Sequence, residues 1–339
     1  MFSLVESDIT NERQSVKMRY KLLLVSLMVV TAFAAVRQGS ERLSRGATLT
    51  NHWAMAALFW SSLLDSTEAS GKALTNFAAG QSSPAVMADS EEEFRWQGRV
   101  QPGQTLEVKG VNGNVRAEGY SGNQVEVVAT KRGRRSDPKE VEIRVVEHAG
   151  GVTICAVYPS DGSRPNDCQV GNSWRTNVRN NDVSVDFTVR VPTGVRFMGR
   201  TVNGGVEAER IGADVDVATV NGSINVSASG IAQASTVNGS IRASMGSANW
   251  ANELRFNTIN GSITLDFPSG LGADLRAETL NGDVTSDFPL NAQGPQEERR
   301  PGQPRRVQAT IGGGGRSLVL KTINGDIRLT RGGGVAPAF

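Results

Sequence analysis

The carboxylates best placed to act as an acid–base pair are Asp182 and Asp186. They share one face of the run that also holds Val183, Val185, Phe187, Val189 and Val191. Alternate residues of a strand point the same way, so both acids project together. The whole face, Asp182, Ser184, Asp186, Thr188 and Arg190, reads more simply as the soluble side of a half-buried strand. Asp214 and Asp216 are expected to face outward on another strand, and Asp266 and Asp287 to sit beside corners, none with an evident partner. Lyases and hydrolases built on β-helices need clustered carboxylates, often with a cation or a basic residue. Gly-x-Ser-x-Gly, Walker-type and His-Glu-x-x-His patterns are absent, as is the regular Asp of calcium-binding nonapeptide repeats. The expectation is therefore a protein that is not an enzyme, with no catalytic residues, no cofactor and no metal site.

The sulfur chemistry is limited to Cys155 and Cys168, which bracket the turn-rich stretch 158–167. A disulfide stapling that loop is expected; a pair of free thiols is the alternative. Two cysteines with no histidine nearby make a poor zinc set. His52 has no assigned role, His148 reads as a surface histidine on a turn, and Lys131 to Arg135 as a solvated basic loop tip. A formal net charge of +2 gives no general electrostatic case for nucleic acid.

Positioning is dominated by one recurring stretch. Thr219-Val220-Asn221-Gly222-Ser223-Ile224 returns with its asparagine and glycine at Asn203-Gly204, Asn238-Gly239, Asn260-Gly261, Asn281-Gly282 and Asn324-Gly325. Asn112-Gly113 is an outlying seventh copy. From Asn203 the steps are 18, 17, 22 and 21 residues, then 43. A steady period near 20 signals stacked units that cannot bury their apolar faces alone. Residues alternate apolar and polar on both sides of each pair, as in Val215, Val217 and Thr219 before Asn221 and Ile224, Val226 and Ala228 after it. Asn and Gly both tolerate positive φ, which would let the pair turn the chain sharply. The expected fold is all-β, a single-domain β-solenoid of the right-handed parallel β-helix kind with Asn-Gly corners. The alternative is a series of β-hairpins, each closed by a type I′ Asn-Gly turn. Seventeen residues at roughly 3.3 Å each trace about 56 Å, enough for one narrow coil. Asp266-Phe267-Pro268 and Asp287-Phe288-Pro289, spaced like their Asn-Gly pairs, are expected to stack at a second corner.

In chain order, residues 1–35 form a leader. Met18 begins a basic stretch, Leu22 to Ala35 is apolar, and Ala32-Phe33-Ala34 fits a signal-peptidase site. Residues 36–93 read as a low-order linker, with Trp53 to Leu64 at helical spacing and a second possible cleavage point after Ala88. The β-solenoid occupies 94–331 and a tail 332–339. Within it, Asn172 to Asn181 reads as a polar loop carrying Trp174, and Asn291 to Arg306 as a surface excursion.

At the Thr-Val-Asn-Gly-(Ser/Asp)-Ile repeats, the Val191-Pro192-Thr193-Gly194 strand end and the Gly312 to Gly315 run, the chain resembles the bacterial candidate-adhesin proteins of domain-of-unknown-function family 4097. The resemblance covers about 94–331. It implies a β-strand-repeat solenoid on an exported bacterial protein and brings no catalytic residues. The expected function is a non-catalytic, adhesin-like binding or structural surface in the envelope, at the periplasm or cell surface. Expected partners are an envelope component, a glycan or a second copy, with no nucleic acid, and membrane association through the leader. A self-assembling scaffold and a carbohydrate-active enzyme are the competing functions.

Overall fold

The structure, a computed structural model, describes residues 90–160, 165–171, 176–292 and 303–332, all within the compact unit Ser82–Phe339. The leader, both cleavage points, His52, the helically spaced Trp53 to Leu64, Trp174 and nearly all of the tail lie outside the described residues.

The N-terminal strands are β1 (Ser90–Gly98), β2 (Thr105–Lys109), β3 (Val115–Tyr120), β4 (Val125–Gly133), β5 (Glu142–His148), β6 (Gly151–Val157) and β7 (Ser184–Pro192). The regular stack holds β8 (Arg196–Arg200), β9 (Val206–Ile211), β10 (Val215–Ala218), β11 (Ile224–Ala228), β12 (Ala232–Ser235), β13 (Ile241–Met245), β14 (Leu254–Asn257) and β15 (Ile263–Phe267). The closing strands are β16 (Ala273–Thr279), β17 (Val284–Ser286), β18 (Asn291–Ala292), β19 (Arg305–Ile311), β20 (Ser317–Lys321) and β21 (Ile327–Arg331).

Every Asn-Gly pair carries the chain from one sheet to the other. The strand before it lies in a sheet of order β18-β19-β16-β20-β14-β12-β10-β8-β2-β6-β5. The strand after it lies in a sheet of order β1-β4-β7-β3-β9-β11-β13-β15-β21-β17. Successive coils pair in parallel and in register, as Ile224 with Ile241 and Val215 with Ala232. Like side chains therefore repeat along the stack, and the inward rows of both sheets merge in one apolar core. The solenoid holds, and the serial-hairpin alternative does not: each Asn-Gly flanks two strands that belong to different sheets. Val183, Val185, Phe187, Val189 and Val191 are all buried, as the alternation requires.

Three expectations are corrected. First, the pair is not a type I′ turn. Among the described residues only Asn180 and Arg210 are non-glycines with positive φ, so no corner asparagine adopts that conformation. The glycines Gly113, Gly204, Gly261, Gly282 and Gly325 do have positive φ, and glycine is required for a second reason as well. A Cβ on Gly222 would lie 2.0 Å from the Gly204 carbonyl oxygen of the adjacent coil, and one on Gly239 would lie 2.0 Å from that of Gly222. The repeat keeps glycine because neighbouring coils touch backbone to backbone there.

Second, Asp266 and Asp287 do not stack. The last coil, β20 and β21, sits between the coil of β14 and β15 and the coil of β16 and β17. β19 returns antiparallel along one edge of β16, and the Gly312 to Gly315 turn then feeds β20 in parallel between β16 and β14. The inserted coil matches both neighbours in register: Leu318 lies between Leu254 and Leu275, and Ile327 between Ile263 and Val284. The step of 43 thus marks a coil that folds back into the stack. Phe267 and Phe288 nevertheless both fill the core.

Third, Lys131 to Gly133 continue β4, and Lys131 points inward. Its Nζ bonds the Val141 carbonyl at 3.0 Å and pairs with Glu92 at 2.8 Å. Arg132 faces out and pairs with Glu91 and Asp186.

Candidate functional site

The repeated residues build two columns. Along the outside, in the order Asn112, Asn203, Asn221, Asn238, Asn260, Asn324, Asn281, each asparagine Nδ2 donates to the Oδ1 of the one before it, at 2.7–2.8 Å. The outlying Asn112-Gly113 is a full member, directly below Asn203. Inside the corner, buried Thr219, Thr236, Thr258 and Thr322 donate their hydroxyls to the carbonyls of Gly204, Gly222, Gly239 and Gly261 at 2.8–2.9 Å. Thr201 and Thr279 do the same for Gly113 and Gly325. This threonine role is not evident from turn chemistry. Its signal was the residue two places before each asparagine, threonine in six copies and Gly110 in the seventh.

The candidate acids are structural acceptors. Asp182 accepts from the backbone N–H of Ser136 and Arg135, which holds its carboxyl down at about 2. Asp186 accepts from Asn114 N–H. Asp214 accepts from Ile231 N–H, and Asp216 pairs with Arg200 at 3.0 Å. Asp266 accepts the hydroxyl protons of Ser244 and Thr330, and Asp287 accepts from Arg331 N–H. Each therefore has a partner, and the partners bind one strand or coil to the next.

A buried polar cluster lies at the N-terminal end. Cys155 on β6 is disulfide-bonded to Cys168, with Cα atoms 5.6 Å apart. Beside the bridge, Lys109 Nζ donates to the carbonyls of Gln169 and Gly171 at 2.5 and 2.6 Å and sits 3.2 Å from Glu107. Burial pulls the Lys109 ammonium below its usual range, against the opposing pull of Glu107. Glu107 accepts from Thr153 and from Gly171 N–H, and Thr153 meets His148 Nε2 at 3.3 Å. Asn166 ties the stretch further through Tyr158 and Asn177. Tyr158 is buried and donates to the Val183 carbonyl at 2.9 Å; burial pushes its phenol up to about 12. The groups interlock a loop with the sheet beneath, and Glu107 Oε1 is held there by its ion pair with Lys109 alone, without a hydrogen bond.

A shallow cavity of about 310 Å³ opens on the outer face of β14, β20, β16 and β19. That is the low end of the range of small-molecule sites. Its floor is Val319, which points outward between Arg255 and Arg276 in one cross-strand row yet is only 5% exposed. Glu278 takes Arg306 at 3.1 Å and Lys321 at 3.6 Å, and Glu253 takes Arg255 and the Ser317 hydroxyl. Both Arg255 and Ser317 hold the Glu253 carboxyl below the usual range, Arg255 by the larger effect. Arg276 is exposed, with no ion pair or hydrogen bond among the described residues. The lining thus holds four cations against two carboxylates. No sequence motif marks it, because the inserted coil supplies its centre.

Parallel coils in register, closed by an asparagine column, define a β-solenoid repeat protein. Residues 200–330 match the family model described as Toastrack DUF4097, so the resemblance seen in the repeats is borne out over that stretch. Among solved structures, the chain is similar to one described as a candidate cell adhesion protein from Clostridium sporogenes. The identity is 14%, with 71% of this chain and 100% of that one covered and a TM-score of 0.35. A structure described as a candidate adhesin from Bacteroides fragilis is similar at 10% identity, with 71% and 98% covered and a TM-score of 0.27. No curated protein matches the chain.

Proposed function

We propose that this protein is exported and acts without catalysis, as an adhesin-like binding surface of the bacterial envelope. The observation that carries the reading is the pairing of a stack locked at every coil with an open cavity whose Arg276 forms no ion pair or hydrogen bond among the described residues. A surface so fixed has little conformational entropy to lose on contact with a partner. The carboxylates considered for catalysis are engaged in holding strands together, which supports a binding role over an enzymatic one. Export draws support from the signal-like order of Met18 to Ala35 and from the Cys155–Cys168 bridge, since disulfides persist in oxidising compartments.

The scaffold alternative draws less support. Growth by continued parallel stacking is interrupted by antiparallel β1 and β4, β5 and β6, and β18 and β19 at three of the four sheet ends, and only the three-residue β17 keeps the parallel register at the fourth.

The test is fractionation of cells making the full chain, sequencing of the mature N-terminus, and adherence of cells with and without the protein to glycan-coated surfaces. Export with adherence that depends on the protein is expected. Retention of the uncleaved chain in the cytoplasm, or adherence unchanged by its loss, would sink the reading.

A further inference from the structure

We infer that the cavity over Val319 receives a carboxylate-bearing sugar, a uronic acid unit of an acidic polysaccharide. The inference rests on the binding-surface reading and names the ligand class for its cavity. Three features of the lining select that chemistry together.

The first is charge. Arg255 and Arg306 have carboxylate partners and Lys321 shares one, but Arg276 in the lining forms no ion pair among the described residues and acts on Glu253 only through its charge. A guanidinium fork matches a carboxylate in a bidentate fashion, the strongest single polar contact such a site offers.

The second is the mixture of signs. Glu253 and Glu278 flank the same space, and they would repel a densely charged phosphate polymer. They suit a ligand that carries one anionic group among many hydroxyls, because a carboxylate accepts hydroxyl protons. Gln308 adds both an amide donor and an acceptor on the β19 side, in register with Arg276.

The third is the floor. Val319 gives a small apolar patch between two arginine side chains, which fits the C–H face of a sugar ring. No aromatic residue lines the cavity, so nucleobase stacking has no platform.

The pose follows from the register. The ring lies over Val319, its carboxylate reaches Arg276, and its hydroxyls meet Glu253 and Glu278 on either side. The polymer then runs along the row Arg255, Val319, Arg276, Gln308, across the strands.

The test is calorimetric titration of the full chain with tetragalacturonate, its methyl ester and a short polyphosphate, at low and moderate salt. Tetragalacturonate is expected to bind, with at least tenfold weaker binding for the methyl ester and for Arg276→Gln. Arg276→Lys should recover only part of the loss, because an ammonium lacks the planar fork. Arg242→Gln, on the opposite sheet, should bind as the parent does. A circular-dichroism melt of each variant, matched to the parent, assigns a loss to the contact and not to unfolding. Equal binding of acid and ester, equal binding of polyphosphate, or unchanged binding by Arg276→Gln would each overturn the assignment. So would no binding of tetragalacturonate at all. If cells still adhere through the protein in that last case, the ligand assignment alone has failed. If adherence is absent too, the binding-surface reading fails with it.

Discussion

The middle of the stack and its N-terminal end are made of the same kind of strand, but they hold together by different means. From β8 to β15 the buried polar side chains are Thr201, Thr219, Thr236 and Thr258. Each is neutral and bonded to a backbone carbonyl one coil away. At the N-terminal end the buried polar groups include Glu107, Lys109, Lys131 and Asn166, with a disulfide and Tyr158 beside them. A repeat can satisfy its backbone with one small hydroxyl per coil, because each coil meets a copy of itself. An end has no such neighbour, and single-use charged groups and antiparallel strands close it. The C-terminal part differs again: the last coil threads back between two earlier ones, leaving β17 at the edge of one sheet and antiparallel β19 and β18 at the edge of the other.

The largest expected effect tests that third device. Removing residues 312–339 takes away β20 and β21 and leaves β14 and β15 facing β16 and β17 across a missing coil. The inward row Leu254, Phe256, Ile263 and Leu265 loses its partners on that side. The loss is expected to exceed about 5 kcal/mol, a large share of a domain's typical margin. Hydrogen exchange should show protection lost from β14 to β19 and retained from β10 to β13. Unchanged protection at β16 would mean that the insertion contributes nothing.

Next in size is Gly222→Ala in the middle. The new Cβ meets the Gly204 carbonyl at 2.0 Å, so two coils must part; at least about 3 kcal/mol is expected. Gly270→Ala is the control, since a Cβ there meets nothing within 4 Å. Equal melting temperatures for the two variants would remove close coil approach as the reason for the repeat's glycine.

Cys155→Ser with Cys168→Ser probes the N-terminal end. Opening a loop of this length costs about 3 kcal/mol by the chain-entropy model. Exchange should rise at β6 and at residues 165–171 and stay unchanged in β10 to β13. An equal rise throughout would show that the ends and the middle unfold as one.

Alkali separates the regions through Tyr158. Its phenol titrates near 12 in the folded chain, above the ordinary value of 10.0. A raised value means stability fully present below pH 10 and lost as pH rises through 12, by about 2–3 kcal/mol at about 1.4 per unit. Tyr158→Phe should remove that dependence. If it does not, another group carries the alkaline loss.

The sequence made the middle legible because its evidence is repetition. Seven Asn-Gly pairs predicted the corners, and alternation predicted the inward rows. The glycine is selected twice: positive φ at Gly113, Gly204, Gly261, Gly282 and Gly325 was legible from turn chemistry, whereas the close approach of neighbouring coils leaves no mark of its own in the sequence. The order of the last two coils was hidden, because a period reports where a coil begins and not which neighbour it joins. The cavity was hidden for the same reason: Arg255, Arg276, Val319 and Arg306 meet only through the inserted coil. Alternation around Leu106 and Val108 says nothing of the burial of Glu107 and Lys109 on the other face of β2. They are buried because a loop more than fifty residues later in the chain, bearing Gln169 and Gly171, lies over them.

The smallest expected effect separates the threonine column from the asparagine column. Thr236→Val keeps the branched shape and removes only the hydroxyl that bonds the Gly222 carbonyl at 2.9 Å. The carbonyl loses its side-chain donor beside a buried position, so about 1 kcal/mol is expected. Asn238→Ser should cost less, because that amide bridges Asn221 and Asn260 in solvent, where water replaces the contact. Chemical denaturation of both variants decides the point. If the threonine variant is the more stable of the two, the inner hydroxyls are not what holds the coils in register, and the outer amides take that role.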